Sequence, residues 1–462
     1  MAAEQASVAP DAPVSRTVLI AGCGIVGLST AIALRALPSP PTIIIHERRC
    51  KEEAMSGPGG IMIQPNGLAA LSALADGSGD TVVAAISAVA RPLGSGGFQS
   101  ATGEDLYIAE PARVTFGART SDLGVSVSRT ALMGALSTAA GVGAPGGVEV
   151  VWQSAVRHFE VVQGEEGVLK VDVQLETAGV TQMVRGVDVL VGADGLWSGV
   201  RSAVDEVTGR VPTPRTYGGL MWWRGSVSYS AVEARCADIG RLSWAQAWLP
   251  RGASLGYIRL GGDDLAWFAS APRPADAPVE GGSPLAEFLA EFGPDRGTTP
   301  PVYAAVVAEL ASRGEAADCI YRGPIYSRGV PSGPGWGVGP VTLVGDAAHA
   351  IFPSMGQGAC VGIEDAVELA ACLAAAWRSQ PLVGAAAAAS RGTVPAALRA
   401  FEAARAPRVT RMGVESARVY HLSALTAAPG IWLRDTAYSM LPQWVVDRQF
   451  SWLFSYKATV VA

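Results

Sequence analysis

Thr17-Val18-Leu19-Ile20-Ala21-Gly22-Cys23-Gly24-Ile25-Val26-Gly27 is the stretch on which the fold class turns. Its first five residues read as a short buried strand, and Leu28 to Leu37 has the Ala- and Leu-rich texture of a helix. A second strand, Thr42 to His46, runs into Glu47, 20 residues beyond Gly27. Gly22 permits the tight turn, Gly24 lets the backbone approach a pyrophosphate, and Gly27 lets helix and strand pack closely. The helix N-terminus, with Ile25 and Val26 inside the loop, offers free N–H groups and a positive dipole end to that anion. Glu47 is placed to accept hydrogen bonds from the ribose of an adenosine. A triple-glycine match alone is weak, but strand, helix, second strand and terminal acid together read as a dinucleotide cradle. Arg48 would suit a phosphorylated ribose, yet NADP sites usually lack the strand-end acid.

Two later runs repeat the logic. Asp188-Val189-Leu190-Val191-Gly192-Ala193-Asp194-Gly195 ends in an acid and a glycine, followed by Ser198 and Arg201. Val341-Thr342-Leu343-Val344-Gly345-Asp346-Ala347-Ala348-His349 does the same and continues through Pro353, Gly356-Gln357-Gly358 and Glu364-Asp365. An Asp at the tip of a buried strand is costly unless its oxygens are bonded. A ribityl chain or a ribose supplies such donors. Gly356 to Gly358, opening a helix, add N–H groups suited to negative charge at the N1/O2 edge of a reduced flavin. FAD is therefore the expected cofactor. Short apolar strands feeding helices predict an α/β fold with a parallel sheet.

The rest of the chain sets limits. Of 462 residues, 49% are apolar and 16% charged, which excludes a disordered protein. Thirty-five Lys and Arg against 41 Asp and Glu give a net charge of −6, so no basic excess supports nucleic-acid binding. Cys23, Cys50, Cys236, Cys319, Cys360 and Cys372 show no metal-ligand spacing and read as reduced thiols. From about Tyr217 to Phe268 apolar and polar residues alternate, with Trp222, Trp223, Trp244, Trp248 and Trp267 among them. That texture predicts a mixed or antiparallel sheet with one covered face. Gly94–Gly97, Ala271–Pro284 and Ala385–Ala389 read as loops or a helix edge. Met1 to Arg16 reads as a flexible arm without a signal core, and Trp444 to Ala462 as a packed C-terminal segment. No apolar run is long enough to span a bilayer, and a cytoplasmic location is expected.

With those motifs in order, the chain resembles the single-component FAD-dependent aromatic hydroxylases, the class of p-hydroxybenzoate and salicylate hydroxylases with zeaxanthin epoxidase as a relative. The resemblance runs from Thr17 to about Arg411. It implies a Rossmann-type FAD-binding domain built from 17–75, 125–210 and 335–420. A mixed-sheet substrate domain from 76–124 and 211–334 interleaves with it, and a C-terminal helical segment spans 421–462. It also implies that Glu47 holds the adenosine ribose and that Arg129 contacts the cofactor. Asp194 and Gly195 would lie near the pyrophosphate and the NAD(P)H path. Gly345 and Asp346 would bind the ribityl chain or pyrophosphate, while Pro353, Gly356, Gln357 and Gly358 edge the isoalloxazine. The implied reaction is hydroxylation of a small carboxylated or phenolic aromatic, using NAD(P)H and O2 through a flavin C4a-hydroperoxide.

Plainer readings stand beside these. Arg129 would serve equally well as a surface helix-start residue, His349 as a structural imidazole, and Ser198 with Arg201 as a helix cap. Glu364 and Asp365 suit a helix start, and Arg405 and Arg408 suit ion pairs that pin a late helix. Leu220, Trp222 and Arg224 share one strand face, and an Arg beside aromatic walls fits an anionic ring or ordinary packing. Tyr217 and Trp248 are weaker candidates for the substrate side. Two other functions remain open: epoxidation of an isoprenoid or carotenoid, and non-catalytic FAD binding. Oligomeric state, substrate and the choice of NADH or NADPH are not legible.

Overall fold

The computed structural model describes residues 16–74, 78–109, 124–293, 299–313, 320–331, 335–379 and 393–459. Residues 1–15, Cys319 and Ala385–Ala389 lie outside them. The three apolar runs become neighbours. Thr17–Ala21 pairs in parallel with Thr42–Glu47 on one side and Val189–Gly192 on the other. Val341–Leu343 extends the sheet beyond Val189–Gly192, and Glu149–Trp152 forms the opposite edge. Val18, Leu19 and Ile20 are fully buried, as in a sheet covered on both faces. The chain leaves Thr17–Ala21 toward one neighbour and later returns to the other. The loop after Ala21 thus sits where strand order reverses, the crevice in which open α/β sheets take ligands.

The second run is shorter than its apolar composition suggests. Asp188 interrupts it, accepting the Thr17 N–H at 2.7 Å and pairing with Lys170. Val180–Val187, upstream of the break, belongs to a separate antiparallel sheet with Leu169–Thr177 and Ser154–Gln163.

The Trp-rich region folds as a seven-stranded mixed sheet. Its order is Tyr321–Ser327, Thr216–Ser228, Asp264–Pro272, Ser254–Arg259, Trp244–Trp248, Gly96–Gln99, Asp105–Ala109. Pairing is antiparallel except between Trp244–Trp248 and Gly96–Gln99. One face, with Met221, Trp223 and Trp267, packs on Phe288, Phe292, Tyr303 and Leu310 of two covering helices. The other face looks toward the parallel sheet.

The structure corrects the division at residue 76. Helix Ser78–Val89 places Val82, Val83 and Ile86 in the same core as Leu19, and Arg91–Pro92 pairs with Val125–Ser128. The substrate-side sheet begins only at Gly96, so Gly94–Gly97 is partly strand rather than loop. The long helix Val394–Ser423 is followed by Ala428–Ser439 and Gln443–Phe454, whose Leu453 returns to the first core.

Candidate functional site

The first loop is built as its glycines require. A Cβ on Gly22 would lie 2.5 Å from the Ala193 carbonyl oxygen, and one on Gly27 2.0 Å from that of Gly22. A Cβ on Gly24 would meet nothing within 4 Å, so the space above this residue is open. Val26 packs against Gly345 and Gly362, tying the first motif to the third. Glu47 is buried and accepts from the Cys23 N–H at 2.9 Å and from the Arg49 N–H and Nε at 3.0 Å. Burial pushes its pKa up, but the bonds from Arg49 and Cys23 outweigh this and leave it below the usual range. Arg49, then, engages the strand-end acid, while Arg48 is exposed and points elsewhere. Both arginines lie in the bend that follows the strand, and only Arg49 turns back onto Glu47. Cys23, buried beside Glu47, has its thiol pushed up to about 12 and is not a thiolate.

The second motif serves the fold more than expected. One Asp194 carboxylate oxygen accepts the N–H groups of Gly199 at 2.7 Å and Val200 at 3.2 Å, and burial raises its pKa. Its other oxygen is buried without a partner. Ser198 caps helix Gly199–Thr208 through the Arg201 N–H. The Arg201 side chain reaches the carbonyls of Ala348 and Gly329, both at 2.9 Å, and so fixes the backbone of the third motif. Arg129, at the start of Arg129–Ala139, donates to the Ser56 carbonyl. Burial, with Arg49 and Arg224 nearby, lowers its pKa.

At the third tip Gly345 and Gly356 both have positive φ, 57° and 61°, which frees the chain to turn back on itself. Asp346 has no hydrogen-bond partner among the described residues. Its carboxylate opens to the cleft but is enclosed on its other sides, and that burial raises its pKa, with His349 opposing and Asp365 adding. Behind it lies a dense buried network. Asp365 accepts from Gly345 N–H at 2.9 Å, contacts His349 Nε2 at 2.6 Å and pairs with Arg405 at 2.7 Å. Glu364 pairs with Arg405 at 2.8 Å and Arg408 at 2.6 Å, and accepts from Asn66 at 2.6 Å. Gln357 bonds to Asn66 and Gln64, and Gln64 donates to the Met355 carbonyl at 2.9 Å. His349 is thus a structural imidazole, and Arg405 and Arg408 pin the late helix.

Pro353, Gly356, Gly358 and Asp346 edge a cavity of about 630 Å³, whose far wall is the open face of the seven-stranded sheet. Leu220, Trp222 and Arg224 line it together, as their alternation requires. The Arg224 guanidinium lies 4.9 Å from the Trp222 ring and 4.5 Å from Tyr321, and its Nε has no partner. Burial lowers its pKa. Tyr217 instead bonds the Arg273 carbonyl, and Trp248 stacks on Phe98 at 4.6 Å behind the lining. Sequence reasoning missed a polar chain on this wall: Gln246 donates to Ser254 at 3.0 Å, and Ser254 contacts Ser270 at 2.9 Å. The signal was present as i, i+2 alternation in Trp244/Gln246 and Phe268/Ser270, but their meeting depends on register.

These features fit FAD. The space over Gly24 suits a pyrophosphate and the unpartnered Asp346 a hydroxylated chain. The first-turn N–H groups of Gly358–Ser379 have no intrahelical acceptors, and Gly358 and Ala359 face the same cleft. Among described residues no cluster of His, Cys, Asp and Glu is arranged for a metal.

A family model described as the FAD binding domain matches residues 334–400, the stretch carrying the third motif. The aurachin C monooxygenase/isomerase of Stigmatella aurantiaca is 28% identical over 431 residues, covering 93% of this chain and 96% of that protein. The zeaxanthin epoxidase of Prunus armeniaca is 29% identical over 410 residues, 87% of this chain, and the chain spans about half the length of that relative, 55%. Among solved structures, Klebsiella pneumoniae HpxO complexed with FAD and uric acid superimposes with a TM-score of 0.72 at 21% identity, covering 95% of this chain and 97% of the other. A salicylate hydroxylase substrate complex gives 0.66 at 19%, covering 98% and 99%. These structural likenesses speak for the fold. With the cradle described above, the sequence relatives make the chain similar to the single-component FAD-dependent monooxygenases of the aromatic-hydroxylase family.

Proposed function

We propose that the protein uses NAD(P)H and O2 to hydroxylate an aromatic substrate that carries an anionic or phenolic group. The observation that carries this reading is one continuous cavity joining the flavin cradle at Asp346, Pro353 and Gly356 to the aromatic wall at Phe98, Trp222 and Phe268. Its volume lies within the range of small-molecule sites. FAD, when bound, supplies the oxygen-activating chemistry. The chain's own residues bind, orient and exclude water. In this reading Glu47 receives the adenosine ribose, Arg129 contacts the cofactor, and Asp194 lines the approach of NAD(P)H. Asp346 takes the ribityl chain, while Pro353, Gly356 and Gly358 edge the ring; Gln357, expected there from the sequence, is fully buried and bonded to Gln64 and Asn66, and holds the loop instead.

Arg224, Pro353 and Gly356 are the catalytic contacts. The stacked, part-unpaired guanidinium of Arg224 offers its free N–H to a carboxylate or phenolate. Gln246, Ser254 and Ser270 offer a neutral polar edge to a second substituent, and the aromatic wall keeps the reacting atoms dry. A second reading, epoxidation of an isoprenoid double bond, is supported by the apolar end of the cavity at Leu441 and Leu453.

Anaerobic stopped-flow reduction tests the proposal. A ring ligand should accelerate bleaching of the flavin by NAD(P)H, and the aerobic product should gain one oxygen at an aromatic carbon. An epoxide product selects the second reading. If no ligand accelerates reduction and all O2 is released as peroxide, both readings fail.

A further inference from the structure

Helix Ala428–Ser439 carries its charge inward and its apolar side chains outward. Arg434 is 3% exposed, lies 4.7 Å from the Trp248 ring and donates to the Leu422 carbonyl. Tyr438, one turn later, lines the cavity. Trp432, Leu433, Met440 and, just past the turn, Trp444 are 68%, 63%, 74% and 66% exposed. Scattered exposed hydrophobics are ordinary, but four large ones between residues 432 and 444 mark an interaction surface.

Two observations identify what covers it. The first is charge. Although the whole chain is net −6, residues 411–459 carry Arg411, Arg418, Arg434, Arg448 and Lys457 against Glu415, Asp435 and Asp447, a net charge of +2. Glu415 and Asp435 are only half-exposed, and Asp435 is paired with Arg434. An exposed apolar set within a segment of net positive charge complements anionic headgroups above acyl chains. A second copy of the chain would instead bring two segments of net positive charge together, which like-charge repulsion disfavours. The second is continuity. Leu441 is 38% exposed and also lines the cavity beside Tyr438, so an apolar compound at this face reaches the cavity without crossing bulk water.

We propose that this face docks on an anionic lipid bilayer, with Trp432, Leu433, Met440 and Trp444 in the headgroup–acyl boundary, and that the cavity draws a lipophilic substrate from it. The docking stands on the surface alone, whereas the substrate delivery rests on the monooxygenase reading. Attachment is peripheral, since no helix among the described residues is long and apolar enough to cross a membrane.

The FAD-loaded full chain is floated with vesicles of phosphatidylcholine alone or with about a third phosphatidylglycerol, at low and high salt. Comigration is expected with the anionic vesicles, weakened by salt. W432S/L433S should reduce it by roughly tenfold or more, and R418E/R448E several-fold. Unchanged flavin absorbance and melting temperature in both variants would show that the fold is intact. The proposal is overturned if the wild-type chain ignores both vesicle types, or if neither variant pair reduces binding. It is also overturned if sedimentation shows a dimer that W432S/L433S dissociates without any vesicle binding. No turnover is measured, so failure here leaves the monooxygenase reading standing, and failure of flavin reduction leaves the docking standing.

Discussion

Two groups of charge flank the turn from Gly345 to Gly358, and their bonding differs. Behind the loop, both carboxylates of Glu364 and Asp365 are bonded at every oxygen, by Arg405, Arg408, Asn66, His349 and the Gly345 N–H. In front of it, one oxygen of Asp194 and the Nε of Arg224 are buried and unbonded, and Asp346, exposed to the cleft, has no protein partner among the described residues. Buried polar groups are expensive when unpaired. The completed set is therefore scaffold, and the incomplete set marks where a ligand finishes the bonding.

Substitutions on the two sides should separate stability from binding. The largest effect belongs to Arg405→Leu, which takes the Arg partner from buried Asp365 and leaves Glu364 with Arg408 and Asn66, and should cost about 3–5 kcal/mol in chemical denaturation. Retained stability would mean that the network is not the scaffold described. Next comes a scaffold group that must stay neutral. Burial lowers the His46 pKa to about 4, against 6.5 for a free imidazole. Between those values the unfolded chain binds a proton that the folded chain refuses. Stability that is full above pH 6.5 should then fall toward pH 4, by up to roughly 3 kcal/mol. His46→Phe should flatten this part of a melting-temperature profile against pH, and an unaltered slope would assign it to other groups.

On the ligand side the glycines give a finer cut. Gly24→Ala fits the apoprotein, because nothing lies near the added Cβ, yet it should weaken FAD roughly tenfold to a hundredfold. Gly27→Ala meets the Gly22 carbonyl oxygen and should lower the apoprotein's melting temperature instead. Asp346→Asn should resemble Gly24→Ala, losing about 1.5–3 kcal/mol of FAD affinity with little loss of fold. Fluorescence titration of apoprotein with FAD reads all three. The smallest effect is expected for Arg224→Ala, where KM for an anionic substrate should rise about tenfold while FAD stays bound. Unchanged kinetics would return Arg224 to packing.

The strands, the first loop, the strand-end acid and the third motif were readable because each is a local pattern: an apolar run, a glycine at a turn, an acid at a tip. The alternation around Leu220, Trp222 and Arg224 likewise placed them on one face, and the structure keeps them there. Other features were not readable from neighbours in sequence. Arg49 rather than Arg48 meets Glu47 because the chain bends directly after the strand. Gln357 reaches Gln64 and Asn66 across separations of 293 and 291 residues, a contact that no local pattern records. Helix Ser78–Val89 joined the cofactor-side core because its apolar stripe fits helices Pro65–Ser72 and Arg129–Ala139, which composition alone cannot reveal.

What the amino-acid sequence determined by itself was the cofactor cradle, since nucleotide binding here depends on backbone turns and on acids at strand ends that short motifs specify. Tertiary structure alone decided which charges are closed into scaffold and which stay open. It also decided which polar residues meet on the cavity wall and which face of the C-terminal helices is left apolar. Those outcomes depend on strand register and on the packing of distant elements, where a shift of one residue exchanges a lining side chain for a buried one.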